Sequence, residues 1–371
     1  MLLAGNMLLA GYMLLAGNML LAGNMLLASN MLLASIWRLG HSLTFPHTKI
    51  RFFNTNFSLM KIVVLILFFY ILLCRCLENR ENHWEYSDQS KWCEISASCC
   101  GKYQSPIQLW DSDRKKRVSP FEFTNYTQLP ETVTMKNNGK TTTISFTGVT
   151  PALSGGGLQH TYILSSLHFH WGMDNYHGAE HILNNKQAPI ELHMVHYNSK
   201  FFNLSEAISS DERDAVAVLG VLYRIVNKKS NPSLNQITSR LRLVKYNGQS
   251  TRIKPFSFRK LIPASTKHFF RYSGSMTTPE CNEVTVWTII REPGYITNAQ
   301  MKTFRKLCST DVDELVKKTI GNNYRQVQAL HRRNVYLGVE STNHITTPAI
   351  VNDETYSFTD IPNTVLYDDD Y

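Results

Sequence analysis

The sequence predicts a sheet-dominated α+β fold, a single large domain with flanking segments. Two observations lead there: short β-rich stretches recur between Gly, Pro and Asn turns, and helical patterns are few and short. Residues 141–146, 163–171, 189–197, 215–223 and 284–290 are read, in that order, as strands. Residues 298–306, after the Pro293-Gly294 turn, are the best of the helices.

The flanks read differently. Residues 1–36 are six near copies of Met-Leu-Leu-Ala-Gly-Asn, with no charge before Arg38. A six-residue step advances about 240° around a helix, so the Asn residues define no polar stripe. Residues 1–59 are therefore taken as low-complexity repeat and linker, from translated repetitive DNA or a misplaced start codon, with a membrane-inserted repeat as the alternative. From Met60 the chain runs Lys61, an apolar stretch over 62–73, then Cys74-Arg75-Cys76. That is the order of a secretory signal peptide over 60–76, with a mature chain starting near Leu77 and an extracellular destination. The run is short for a membrane span, which makes an uncleaved anchor the lesser reading.

Beyond that point lie Cys93, Cys99, Cys100, Cys281 and Cys308, and the vicinal pair leaves their connectivity open. Asn125-Tyr126-Thr127 and Asn203-Leu204-Ser205 are glycosylation acceptors. Residues 339–371 turn polar, end in Asp368-Asp369-Asp370-Tyr371 and read as a disordered acidic tail without the apolar stretch of a glycolipid anchor. The net charge of +9 is not concentrated in one block. Arg114-Lys115-Lys116-Arg117 reads as a solvated loop, so no nucleic-acid partner is expected, and there is room for weak matrix or membrane-surface association.

The chemistry is concentrated in His168-Phe169-His170 and Glu191-Leu192-His193. Strand side chains alternate, so His168 and His170 share a face, and Glu191, His193 and Val195 share one on a neighbouring strand. Three neutral imidazoles suit zinc and leave a fourth tetrahedral position for water. Seven of the chain's thirteen histidines lie between residues 160 and 196, a density that chance spacing does not supply. A cupin site also begins His-x-His, but the next acids after His170 are Asp174 and Glu180, with no cupin glycine pattern around them, and that reading is set aside.

The surroundings make the pattern recognisable. Ser154-Gly155-Gly156-Gly157-Leu158, Leu167-His168-Phe169-His170-Trp171-Gly172, Gly178-Ala179-Glu180-His181 and Glu191-Leu192-His193-Met194-Val195-His196 resemble the core signature of the α-class carbonic anhydrases. Gln104-Ser105-Pro106-Ile107 and Asn137-Asn138-Gly139 precede it, and Gly274-Ser275-Met276-Thr277-Thr278-Pro279, Trp287 and Asn323-Tyr324-Arg325 follow. The likeness spans residues 83–338 in family order, and the cysteines make it most like the secreted and membrane-associated branch. It implies a domain over 77–338 built on a large, twisted, mostly antiparallel central sheet with peripheral short helices and zinc at the base of a cone.

Carried over residue by residue, His168, His170 and His193 match the Zn2+ ligands. Thr277 matches the hydroxyl that orients zinc-bound hydroxide, and Glu180 the carboxylate that accepts the threonine's proton. Glu191 matches the acceptor for His193 and the Asn323 carbonyl the acceptor for His170, while Ser166 stands where a glutamine usually holds His168. Val195, Val218, Met276, Thr278 and Trp287 match the substrate pocket. The implied reaction is reversible hydration of carbon dioxide to bicarbonate and a proton, with sensitivity to sulfonamide-type inhibitors. In fast members a histidine after Asn-Gly relays the proton to solvent; here that position is Lys140. A protonated lysine is a poor relay, which predicts slow proton shuttling, and His83 is a weak substitute candidate.

The resemblance also pairs Cys281 with Cys99 or Cys100, and Cys93 with the other, leaving Cys308 a buried free thiol. Other departures are Glu280, Gln326 and Ala329, none at a zinc ligand. The competing hypothesis is a secreted, carbonic anhydrase-like binding or matrix protein with vestigial catalysis.

Overall fold

A computed structural model describes residues 84–227 and 230–341. The repeat, the expected signal peptide, the expected start at Leu77, His83 and all of the expected tail after residue 341 lie outside the described residues; contrary to the disorder expected from residue 339, Val339 and Glu340 are in a strand. Strands follow in the order β1 (Gln108–Leu109), β2 (Arg114–Val118), β3 (Phe121–Thr124), β4 (Thr132–Asn137), β5 (Thr142–Thr147), β6 (Ala152–Gly155) and β7 (Tyr162–Trp171). They continue with β8 (Ile182–Leu183), β9 (Lys186–Gln187), β10 (Ile190–Asn198), β11 (Val216–Ile225), β12 (Ser250–Ile253), β13 (His268–Gly274), β14 (Thr285–Ile296) and β15 (Tyr336–Glu340). Each of the five strand expectations is met to within a few residues, the largest difference being the C-terminal extension of β14.

A 12-stranded sheet carries the architecture, in the order β12-β4-β5-β7-β10-β11-β14-β13-β15-β2, with β3 and β6 paired beside it. Within this sheet β11 with β14 and β15 with β2 run parallel and its other pairings are antiparallel, while in a separate three-stranded sheet β1 runs parallel to β8. The alternation of β7 and β10 sorts their side chains between two apolar clusters. Leu167, Phe169, Trp171, Leu192 and Met194 enter one, and Val195 joins Val218 and Trp287 in the other. Burial of each large apolar side chain contributes on the order of 1.5–3 kcal/mol, so a register slip that reversed these faces would be heavily penalised.

The predicted C-terminal helix spans Asn298–Phe304, two residues shorter than the pattern suggested. Thr297 and Gln300 form a reciprocal capping box at its start, and Met301 and Phe304 are buried. Phe304 stacks 5.1 Å from Phe169 and 5.4 Å from Trp171, so the helix covers the side of β7 opposite the histidines.

Arg114 to Arg117 are not a loop. They form most of β2, the terminal strand of the sheet, in parallel register with β15. A charged edge strand discourages pairing with another chain, which gives the basic run a structural reason that its composition concealed.

His196 belongs to the core. A register shift between Val195 and His196 accompanies full burial of its ring, which bonds the Tyr126 hydroxyl and the Ala217 carbonyl, the latter at 3.1 Å. Burial lowers its pKa to about 4 from an ordinary 6.5. The unfolded ring therefore takes up a proton that the folded one refuses. The associated stability is present above about pH 6.5 and is lost as pH falls toward 4, to a total of about 3 kcal/mol. Denaturant titrations across this range should show a shallower acid loss for His196→Gln; an unchanged slope would mean that His196 does not drive it.

Candidate metal centre

Antiparallel pairing of β7 with β10 sets His193 directly opposite His168, and Glu191 opposite His170. Ring centroids are 5.0 Å apart for His168 and His170, 5.1 Å for His168 and His193, and 4.5 Å for His170 and His193. One nitrogen from each of the three rings lies within 4.8 Å of the others, so the cluster could hold a metal ion.

Hydrogen bonds assign the tautomers. His170 donates from Nδ1 to the Asn323 carbonyl at 2.7 Å, and His193 donates from Nε2 to Glu191 Oε1 at 2.9 Å. Each ring therefore turns an unprotonated nitrogen to the centre. His170 Nε2 is buried with no hydrogen-bond partner, and His193 Nδ1 stands 3.3 Å from His168 Nε2. Desolvation drives the His168 pKa down to about 3, takes His170 well below the ordinary value and lowers His193. Neutral rings with converging lone pairs are what a soft-to-borderline divalent cation requires.

Glu191 is fully buried and accepts four N–H bonds: from the Glu180 and His181 amides at 2.8 and 2.9 Å, from His181 Nδ1 at 2.8 Å and from His193. Burial alone would raise its carboxyl, but His181 and His193 more than offset that and carry it well below the usual range. Gly220, opposite His193 on β11, leaves the space it needs; a Cβ there would lie 3.0 Å from Glu191 Oε1. His181, Glu191 and His193 also form a compact acid-and-imidazole group, but their contacts are hydrogen bonds that occupy the inward atoms.

Glu180 Oε1 accepts the Arg325 amide at 2.8 Å and lies 3.5 Å from His170 Nδ1, while Oε2 lies 3.9 Å from His193 Nδ1. Oε2 has no partner at full hydrogen-bond geometry, although the Thr277 hydroxyl is near enough to lower the carboxyl's proton affinity. Burial dominates nonetheless and pushes Glu180 well above the usual carboxylate range. Thr277 is buried in a loop closed by Met276 N–H to the Asn282 carbonyl at 3.0 Å and by Cys281 N–H to the Thr278 carbonyl at 2.8 Å. The Cys99–Cys281 disulfide ties this loop to the N-terminal segment, and Cys93 pairs with Cys100. Cys308 is buried and free.

Beside the histidines, Val195 pairs with Val218, and Val218 with Trp287. Trp287 lies 4.8 Å from the His193 ring and donates to the Ser275 carbonyl at 2.9 Å. Met276 packs against this cluster, and Thr278 is half-buried at the loop. Ser166 lies opposite Val195, and no hydrogen bond joins it to the His168 ring; its side chain is one carbon long where the holding group would need reach. Lys140 is turned to the N-terminal segment: its Nζ donates to the Trp84 carbonyl at 2.5 Å, pairs with Glu85 at 3.1 Å and lies 4.9 Å over the Trp84 ring.

Several contributors had no assigned role in the sequence. His181 bridges Glu191 to the Tyr272 hydroxyl, the latter at 2.7 Å. The Asn323 side chain accepts from Trp171 N at 2.7 Å and donates to the Lys140 and Phe169 carbonyls at 3.0 and 3.2 Å. Tyr86, raised well above the ordinary phenol value by burial and by Glu180, stands 6.5 Å from the His170 ring. The histidine cluster was a signal for the first and the Asn-Tyr-Arg motif for the second; nothing local marked Tyr86. A cavity of about 610 Å³ lined by Asp111, Lys115, Arg117 and His268 includes none of the three histidines, so donor convergence locates this centre better than cavity size does.

Residues 87–339 match the family model described as eukaryotic-type carbonic anhydrase. The chain is 34% identical over 261 residues to human carbonic anhydrase 12, covering 68% of this chain and 72% of that protein. It is 31% identical over 280 residues to putative carbonic anhydrase 5 of Caenorhabditis elegans, covering 74% and 87%. Bovine carbonic anhydrase 6 is 31% identical over 274 residues, covering 71% and 83%.

Proposed function

Because the chain belongs to the eukaryotic-type carbonic anhydrase family, whose members are zinc enzymes that hydrate carbon dioxide, we propose that His168, His170 and His193 are its zinc ligands and that the face they share is its active site. The observation that carries this reading is His170 Nε2, a buried nitrogen without a partner whose ring is locked from behind by Asn323. Bound there, Zn2+ would acidify a coordinated water, and carbonic anhydrase is itself the reference case for that shift to a pKa near ~7.

The protein's own contribution is orientation and exclusion. Thr277, donating toward Glu180, keeps its lone pairs for a donor at the centre and so selects protonated oxygen or nitrogen there. Sulfonamide-type inhibitors fit the same rule through their ionised N–H. Val195, Val218, Met276 and Trp287 offer an apolar wall for carbon dioxide, which gains nothing from polar contacts. Asn323 and Glu191 fix two ligand rings, whereas His168 has no such support from Ser166.

Lys140 carries no proton out in this reading. Its ammonium is held by Glu85, the Trp84 carbonyl and the indole face, so it is engaged where a relay must exchange its proton. In weak buffer, Lys140→His should raise turnover on the order of tenfold or more, while added imidazole should speed the parent enzyme more than the variant. Equal buffer dependence in the two would sink this account of the slow step.

An extracellular site of action is supported by two disulfides and by the signal-like segment at 60–76. Among the described residues no helix is long and apolar enough to cross a membrane. Of the glycosylation acceptors, exposed Asn203 is the better presented, because the Asn125 amide donates to the Thr150 carbonyl at 3.2 Å. The deciding experiment is stopped-flow carbon dioxide hydration with and without a zinc chelator and across imidazole concentrations. Chelator-sensitive turnover supports the proposal. Folded, zinc-loaded protein without turnover would leave the binding or matrix role.

A further inference from the structure

A second cavity, of about 270 Å³, lies between the start of β7, the residues before β11 and strands β13, β15 and β2. Lys116 stands exposed at its edge, with its ammonium 5.0 Å over the Tyr336 ring. Arg271 is 3% exposed. Its Nε donates to Thr288 Oγ1 at 3.0 Å, and its planar group lies 5.1 Å from the Phe269 ring. Its Nη2 is buried without a hydrogen-bond partner. Asp214 lines the same cavity; the Tyr162 hydroxyl bonds its backbone carbonyl at 3.0 Å, and its own Oδ1 is buried and also without a partner. Burial pushes the Asp214 carboxyl up and the Arg271 guanidinium down, offset only in part by their attraction for each other and by the Tyr336 hydroxyl beside Arg271.

An orphaned donor and an orphaned acceptor of opposite charge in one cavity call for a ligand with both complements. We propose that this cavity binds a small zwitterion, a primary ammonium and a carboxylate a few atoms apart, with the carboxylate on Arg271 and Lys116 and the ammonium on Asp214. Drug-sized ligands occupy about 300–1,000 Å³, so the space suits a molecule of amino-acid size. The three metal-binding histidines are not among its lining residues.

The test is calorimetry on the zinc-loaded full chain with glycine, β-alanine and 4-aminobutyrate, three spacings of the same two charges, against acetate and methylamine. At least one amino acid should bind about tenfold or more tightly than either single-charge probe. Asp214→Asn should bring that amino acid down to the affinity of acetate, and Lys116→Gln should weaken amino acid and acetate alike. Asn suits the position because residue 214 has φ 61°, a conformation Asn tolerates. Three results would overturn the proposal: no amino acid binding above the acetate level, which means water alone bridges the two groups; unchanged binding to Asp214→Asn; or displacement by a sulfonamide, which would move the ligand to the metal centre.

Discussion

His170→Ala should abolish zinc binding and carbon dioxide hydration while leaving the far-ultraviolet circular dichroism unchanged. The ring supplies one of three converging nitrogens, and its Nδ1–H satisfies the Asn323 carbonyl at 2.7 Å. Losing an outer hydrogen-bond partner of a ligand costs about 10–100-fold in metal affinity or activity, and losing the ligand itself should exceed that clearly. The folding cost is smaller, about 1–3 kcal/mol for the unsatisfied carbonyl, since the apolar faces of β7 and β10 are untouched. Glu191→Ala serves as the comparison. It should fall within the 10–100-fold range for zinc affinity but lose more stability, because it strips four N–H groups of their acceptor in a buried site. Stoichiometric zinc with near-normal turnover in His170→Ala would refute the ligand assignment.

Cys281→Ser should cost far more stability than Cys93→Ser. The Cys99–Cys281 bridge closes a sequence separation of 182 residues, whereas Cys93–Cys100 closes 7. Chain entropy assigns these loops about 5 and about 2 kcal/mol respectively. For a domain of this size the larger figure corresponds to a fall in Tm of about 10–20 °C, readable by calorimetry. Activity should fall with it even at temperatures where the variant is folded, because the same bridge restrains the loop that bears Thr277. Cys93→Ser should keep most of both. Equal losses in the two variants would show that loop closure is not the source of the effect.

How much of this was legible beforehand differs from residue to residue. The alternation around His168, His170, Glu191 and His193 was readable because strand parity is a local property with a period of two. The helix at 298–304 was equally local, its capping box lying within four residues. The basic run at 114–117 misled because its strand state depends on β15, more than two hundred residues away. His196 followed the same parity as Leu192 and Met194, yet whether it served a site or the core depended on Tyr126 and Ala217, which no spacing could announce.

Read along the chain alone, the residues show which side chains share a face, which family signature they compose and that Lys140 follows Asn138-Gly139. Tertiary structure alone decided which cysteine of the vicinal pair meets Cys281, which nitrogen of each ring points inward, that Ser166 leaves His168 unheld and that Lys140 is bound to Glu85 and Trp84. The division has a physical reason. Periodicity and side-chain chemistry are set by neighbours along the chain, whereas a hydrogen-bond partner is set by register across strands, and register is settled by the packing of the whole sheet.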